Sequence, residues 1–215
     1  MARGRLITIE GVDGSGKTTL AAGLADALRA RGIEAHVLRE PGGVEVAERI
    51  RELVHDPALT IAPRAEALLF AAARAQLVEE ALEPLLLAGT WVVLDRFVDS
   101  SLAYQGGGRE LGIDEIAEIN RFATRGLAPD RTLLLSVAPQ LGRSRARARE
   151  TLVDRLEREH DRFFSGVADA YRELAGREPG RIRSLDASEP PERVLDAALA
   201  ELSDLFPPEA RDRPR

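Results

Sequence analysis

Short apolar runs, several of them β-branched, alternate with stretches of helical periodicity along almost the whole chain, and this alternation limits the fold more than any other feature. Leu6 to Glu10 reads as a first strand, and Lys17 to Arg31 as a helix with Leu20, Leu24 and Leu28 on one face and Gly32 at its end. Ala35 to Leu38 is a short second strand. Pro63 to Leu87 reads as a long helix opened by proline, and Trp91 to Leu94 as a buried strand ending at Asp95. Asp114 can cap a helix carrying Ile116, Ile119 and Phe122, and Thr132 to Val137 is a fourth apolar strand. Two helices are expected next, then a strand at Ile182 to Leu185 and a last helix from Pro191 to Leu205. Strands joined through helices imply right-handed crossovers, so the expected fold is α/β, a five-stranded parallel sheet flanked by helices. Ligands then belong beyond the carboxyl ends of the strands.

A chain of 215 residues is long enough to bury roughly 70% of its unfolded surface as one unit. A single domain over residues 1–206 is expected, with a lid at about 139–157 and a frayed tail at 207–215. Cysteine is absent, which removes disulfides, zinc thiolates and cysteine nucleophiles and fits a cytoplasmic protein. The opening MARGRLITIEG has too short an apolar run for a signal peptide, and later apolar stretches are cut by charge before a membrane span is reached. A net charge of −6 argues against a nucleic-acid polymer as partner. Within this acidic background Arg143, Arg145, Arg147 and Arg149 form a basic run suited to a compact polyanion.

The chain has one lysine, Lys17, against 29 arginines. It stands in Gly11-Val12-Asp13-Gly14-Ser15-Gly16-Lys17-Thr18, which fits the G-x-x-x-x-G-K-[ST] pattern without a mismatch and lies between the first strand and the first helix. The glycines let backbone N–H groups converge on phosphate oxygens, and the helix adds its positive end. Lysine brings a slender charge to the β and γ phosphates where arginine's planar fork does not fit, and Thr18 offers a hydroxyl to Mg²⁺. These eight residues are therefore the candidate ATP-binding set.

Asp95-Arg96 follows the WVVL strand. Asp95 can hold the Mg²⁺ shell, directly or through water, and Arg96 is suited to gripping a second phosphate, which favours transfer to a phosphorylated acceptor over hydrolysis. A structural ion pair between Arg96 and Asp95 is the competing interpretation. No lysine follows Lys17 to complete an Asn-Lys-x-Asp guanine signature, which counts against a GTPase or switch protein. Another nucleoside or nucleoside monophosphate kinase of the same architecture stays open.

Further motifs lie in order along the chain: Arg39-Glu40-Pro41-Gly42-Gly43, Phe70-Ala71-Ala72-Ala73-Arg74, Asp95-Arg96-Phe97, and Ser100-Ser101-Leu102-Ala103-Tyr104-Gln105-Gly106-Gly107-Gly108-Arg109. With the phosphate loop, they resemble the bacterial thymidylate kinase family over about residues 5–205. Arg143 to Arg149 followed by Asp154-Arg155-Leu156-Glu157 resembles its lid. The resemblance implies a P-loop kinase fold with an arginine-rich lid, transfer of the γ-phosphoryl of ATP to dTMP for dTTP biosynthesis, Mg²⁺, and a homodimer.

Phe70 and Arg74 share a helix face, so a ring can stack on a pyrimidine while the arginine donates to a base carbonyl; on spacing alone a core phenylalanine beside a surface arginine is the commoner arrangement. The resemblance selects the first. It also implies Ser101 and Gln105 near the base, Tyr104 against the sugar where it excludes a 2′-hydroxyl, Asp13 near the acceptor's 3′-hydroxyl, and Arg39 and Glu40 in acceptor positioning. Glycines 106 to 108 read as flexible turn formers. Ser15 stands in the part of the loop where some members of the family carry an arginine, with Gly14 before it, so that charge must come from elsewhere, and the lid arginines can provide it. On a helix Arg143 and Arg147 share one face and Arg145 and Arg149 another; Arg143 and Arg147 are the candidate catalytic pair, and spacing does not decide between the two.

Overall fold

Five strands carry the apolar runs in the computed structural model, which describes residues 3–138, 141–142, 144–145, 155–156 and 159–211. They are β1 (Leu6–Gly11), β2 (Ala35–Arg39), β3 (Trp91–Asp95), β4 (Arg131–Ser136) and β5 (Ile182–Asp186), all parallel, in the order β2-β3-β1-β4-β5. The expected five-stranded parallel sheet is present. Parallel pairing brings the carboxyl ends to one edge: Asp95 lies opposite both Ile9 and Arg39, and Gly11 lies opposite Leu135.

Described helices are α1 (Lys17–Ala30), α2 (Glu45–His55), α3 (Pro63–Leu77), α4 (Glu83–Leu87), α5 (Val98–Ser101), α6 (Ile113–Ala123), α7 (Asp161–Arg177), α8 (Pro191–Glu201) and α9 (Pro208–Arg211). The two-residue period of β1 sends Ile7 and Ile9 to one face, where they pack with Leu20, Leu24 and Leu28 of α1 and with Ala198 and Leu199 of α8. Leu6 faces the other way, against Leu77, Leu82 and Leu86. Leu134 on that second face meets Val167, Ala170 and Tyr171 of α7. β1 thus runs into α1 on one side and β3 into α5 on the other, and a crevice opens at the edge between them.

Several expectations need correction. The long helix from Pro63 to Leu87 is interrupted by a π-helical turn at Val78–Leu82, just ahead of Pro84, which has no N–H to close an ordinary helical bond. α2 had no counterpart in the sequence pattern because only Ala47 and Val54 of its residues are buried. Asp114 does not cap α6: Gly112 is the cap, and Asp114 lies in the first turn, accepting from Arg177 at 3.0 Å. Phe122 is not on the buried face of α6 but 89% exposed, and Asn120 takes the buried position instead. The tail expected to fray from residue 207 holds α9, whose Ala210 joins the core beside Phe206; residues 212–215 lie outside the described residues.

Glycines 106 to 108 are not loose turn formers. They belong to a second π-helical segment, Leu102–Gly108, that packs against α7. A Cβ on Gly107 would stand 2.6 Å from Ala170 Cβ and 2.7 Å from the Gly166 carbonyl oxygen, and one on Gly108 would stand 2.6 Å from the Phe163 ring. Absence of a side chain, not flexibility, is what these positions need. Gly107→Ala is expected to destabilise the protein by about 2 kcal/mol or more, since a backbone carbonyl cannot yield as a side-chain tip can. Thermal unfolding checks this; an unchanged Tm contradicts the close approach.

Candidate active site

The loop after β1 turns on glycine. Gly11 (φ 139°) and Gly16 (φ 97°) occupy backbone regions that disfavour side chains, and a Cβ on Gly11 would meet the Leu135 carbonyl oxygen at 2.7 Å. Lys17, the first residue of α1, folds back so that Nζ donates to the carbonyls of Gly11 (3.1 Å) and Val12 (2.9 Å). Burial pulls its ammonium pKa down to about 8, helped by Arg96 and opposed by Asp13, Asp95 and Glu10. Ser15 Oγ is buried within the same loop without a hydrogen-bond partner among the described residues.

Arg96, just past β3, has φ 71°, an uncommon conformation for a residue with a side chain, and its own N–H bonds Ile9 O at 3.0 Å. This backbone turn aims the guanidinium at the loop. Its NH1 donates to Gly11 O (3.2 Å) and Ser100 Oγ (3.1 Å), and its NH2 to Asp13 Oδ1 (2.5 Å) and the Tyr104 hydroxyl (3.3 Å). The Arg96 ion pair is made with Asp13, not with Asp95 as the competing interpretation would have it. Tyr104 also donates to Asp13 Oδ2 at 3.2 Å, while burial pushes its own hydroxyl pKa up. Burial would raise the Asp13 carboxyl as well, but Arg96 and Lys17 outweigh it and hold the pKa at about 2.

Thr18 donates to Asp95 Oδ2 at 2.8 Å, so the two candidate metal ligands stand side by side at the loop. No group of three His, Asp or Glu that could cage a cation occurs among the described residues. Two hard oxygens beside a phosphate loop nevertheless fit Mg²⁺, which takes few protein ligands and completes its shell with water and phosphate.

Beneath the loop lies Glu10, which shares the β1 face of Leu6 and is fully buried. It accepts from Phe97 N (2.7 Å), Ser100 Oγ (2.5 Å) and the Tyr171 hydroxyl (2.9 Å). Burial, with Asp99 nearby, pushes its pKa up to about 7 against the pull of these donors and Arg96. Ser100 thereby ties Arg96 to a buried carboxylate, a link that no motif announced.

Farther along the crevice Phe70 is half-buried on the wall of the cleft, with His55 edge-on at 6.5 Å, and so is not a core residue. Arg74 is no surface residue either: it is 2% exposed. Its Nε and NH2 meet Glu40 Oε2 at 2.7 and 2.6 Å, NH1 donates to Ser101 Oγ (2.9 Å) and to Asn120 Oδ1, and NH2 also donates to Phe97 O (3.0 Å). Four hydrogen bonds and the ion pair with Glu40 already hold the guanidinium, so Arg74 addresses a ligand carbonyl by exchanging one of these partners. Glu40 Oε1 is buried without a hydrogen-bond partner among the described residues. Arg39 pairs with Glu48 of α2 at 2.9 Å and stays half exposed. Gln105 is buried at the edge of the cleft and donates to Glu66 Oε1 at 2.9 Å.

Two clefts flank the loop. One, of about 600 Å³, is lined by Asp13, Lys17, Thr18, Arg39, Glu40, Phe70, Arg74, Asp95, Arg96, Ser101, Tyr104 and Gln105, so nearly all sequence-predicted side chains meet there. The other, of about 530 Å³, is mostly apolar and runs from Ser15 past Leu20 to Leu135, Val194 and Leu195. Arg145 closes part of it, donating to Ala187 O at 2.6 Å. No sequence motif marked this second cleft. The two share Gly14 and Gly16 among their lining residues. Arg143 and Arg147, the candidate catalytic pair, lie outside the described residues.

Comparison with known proteins agrees with this arrangement. The family model described as "Thymidylate kinase" matches residues 9–198. A thymidylate kinase of Oenococcus oeni is 48% identical over 204 residues, covering 93% of this chain and 95% of its own. One from Bordetella petrii is 47% identical over 204 residues, and one from Lacticaseibacillus casei 46% over 208, each covering 95% of this chain and 97% of its own. A match of this extent over a five-stranded parallel sheet, with a phosphate loop between two clefts, shows that the chain belongs to the thymidylate kinase family.

Proposed function

We propose that this kinase transfers the γ-phosphoryl group of ATP to dTMP, giving dTDP and ADP, with the acceptor in the polar cleft and the donor's base in the apolar one. The observation carrying this assignment is that the two clefts meet at Gly14 and Gly16, so a phosphoryl group on the loop is reached from both sides. Lys17 and the loop N–H groups hold the donor phosphates. Arg96, turned to the loop by its backbone, grips the acceptor phosphate. Asp13, ionised and anchored by Arg96 and Tyr104, receives the sugar hydroxyl and fixes the acceptor in line. Thr18 and Asp95 would hold Mg²⁺, which when bound supplies positive charge against the phosphate oxygens. Arg143 and Arg147 supply the charge that Gly14 and Ser15 cannot, and residues 139–157 act as the lid that excludes water.

Phe70 stacks on the pyrimidine, and Arg74 exchanges its Ser101 bond for a base carbonyl. Tyr104, wedged against Phe163 at 6.0 Å and bonded to Asp13, stands where it crowds a 2′-hydroxyl. Arg39 and Glu40 support the acceptor wall, Arg39 from its pair with Glu48 and Glu40 through Arg74. Exposed Leu68 of α3, Val46 and Leu53 of α2 and Phe122 of α6 provide an apolar surface for a homodimer. No described helix is long and apolar enough to cross a membrane, and a cytoplasmic location is proposed. The substrate assignment is tested by ADP release with dTMP, dUMP, dCMP, UMP, AMP and thymidine in turn. dTMP should give the highest kcat/KM; a higher value for thymidine would make the protein a nucleoside kinase.

Lys17 also gives a pH signature. With its pKa near 8 before ligand binds, about half of the sites are uncharged at that pH, and donor phosphates favour the ammonium form. ATP binding at pH 8 is therefore expected to take up about half a proton per site, and affinity should fall as pH rises further. Calorimetry in buffers of different ionisation enthalpy measures this. Buffer-independent heats at pH 8 would contradict it.

A further inference from the structure

Gln105 presents a choice that its own chemistry does not make. A carboxamide offers two N–H donors on one side and a carbonyl acceptor on the other, so a base facing it meets a donor or an acceptor according to how the group is turned. Here Nε2 donates to Glu66 Oε1 at 2.9 Å, and Gln105 is part of the wall of the polar cleft.

Glu66, on α3, is fully buried and holds three side chains at once. Beyond Gln105, it accepts from Arg109 through Nε (3.2 Å) and NH2 (3.0 Å), and from Arg155 NH2 at 2.6 Å. Arg109 is itself braced by Glu159 at 2.6 Å, and Arg155 by Val54 O at 3.1 Å. Burial works against its charge, but the bonds from Arg109, Gln105 and Arg155 prevail, and the Glu66 pKa lies below the usual value. An ionised carboxylate accepts and never donates. Only the N–H side of Gln105 can face it.

Resting on the dTMP kinase assignment above, we propose that Glu66 is a positioning residue for base selectivity: it locks the Gln105 carboxamide with its carbonyl toward the cleft, where that oxygen accepts the N–H of an imide. Thymine carries this N–H beside a ring carbonyl, and Ser101 and Arg74 supply the donors for the carbonyl. Cytosine carries a bare ring nitrogen and an amino group, the reverse pattern, and meets an acceptor where it needs a donor. Rejection of cytosine thus begins one layer behind the cleft wall.

The test measures kcat/KM for dTMP and dCMP and the Kd of each in calorimetry, with thermal unfolding as a check on folding. In Glu66→Gln the facing group is no longer acceptor-only, the Gln105 amide can turn, and the dTMP/dCMP ratio is expected to fall by about tenfold or more. Glu66→Asp keeps a charge that the long arginines can follow but draws it back from the shorter Gln105, and must move the ratio the same way. Gln105→Leu removes the acceptor and should lower the ratio alone; adding Glu66→Gln to it should lower the ratio no further. A purely structural Glu66 would reduce both substrates together and leave the ratio untouched. A folded Glu66 variant with the native ratio, or an additive loss in the double variant, overturns the proposal. Wild-type protein that fails to phosphorylate dTMP overturns the underlying assignment instead.

Discussion

Lys17→Arg is expected to lower kcat by about 10³-fold or more, although the charge is kept. The ammonium is buried and packed between the Gly11 and Val12 carbonyls, at 3.1 and 2.9 Å. A guanidinium is broader, planar and demands donors in a fixed fork. Seating it means opening the loop whose glycine geometry brings the phosphates close. In a chain with 29 arginines, survival of a lysine here follows from this fit. Steady-state kinetics with saturating ATP and dTMP read the effect. Retention of a large fraction of turnover would show that Lys17 has no contact with the transferring phosphoryl group.

Arg96→Lys should be nearly as severe, lowering kcat/KM for dTMP by about 10²- to 10³-fold while changing KM for ATP little. The native side chain spreads its two terminal nitrogens over Gly11 O, Ser100 Oγ, Asp13 and Tyr104. An ammonium can occupy one of these places but cannot bridge them. Asp13 then loses the close guanidinium bond, while keeping a cation nearby, and its pKa should rise from about 2. Asp13 contributes stability above its unfolded pKa, and this is lost as pH falls through about 2, so the variant should lose that contribution at higher pH than the wild type. Initial rates with each substrate varied separately distinguish acceptor from donor effects. An equal rise in both KM values would place Arg96 in general loop support instead.

Sheet and loop were legible because each rests on local signals. Apolar runs of strand length bounded by helical periods leave few alternatives to a parallel sheet, and the G-x-x-x-x-G-K-T spacing requires its particular backbone. What sequence could not reveal depends on partners far away in the chain. Asn120 occupies a buried helical position that periodicity reserves for an apolar side chain, and it does so because Arg74, 46 residues away, needs an acceptor there. Glu10 looks like the last residue of a strand and becomes a buried anchor only when α5 and α7 bring Ser100 and Tyr171 to it.

Glycines 106 to 108 illustrate the same limit. A glycine triplet suggests freedom, yet α7 approaches Gly107 and Gly108 too closely for a side chain, and Gly112 and Ile113 crowd Gly106. The apolar cleft has no signature in the sequence for a related reason: its walls come from the phosphate loop, α1, β4, α8, the β5–α8 connection and Arg145, and no contiguous motif encodes it. Resemblance to a family points to Arg74 as a site residue, but not to the four hydrogen bonds and the buried ion pair that already hold it.

The most direct measurement follows the γ-phosphate of labelled ATP in the presence of dTMP and Mg²⁺. If the two clefts deliver donor and acceptor to opposite sides of one loop, the label appears in dTDP in step with ADP, and little is released as inorganic phosphate. Label released mainly as inorganic phosphate, with dTMP unchanged, would contradict transfer between the clefts.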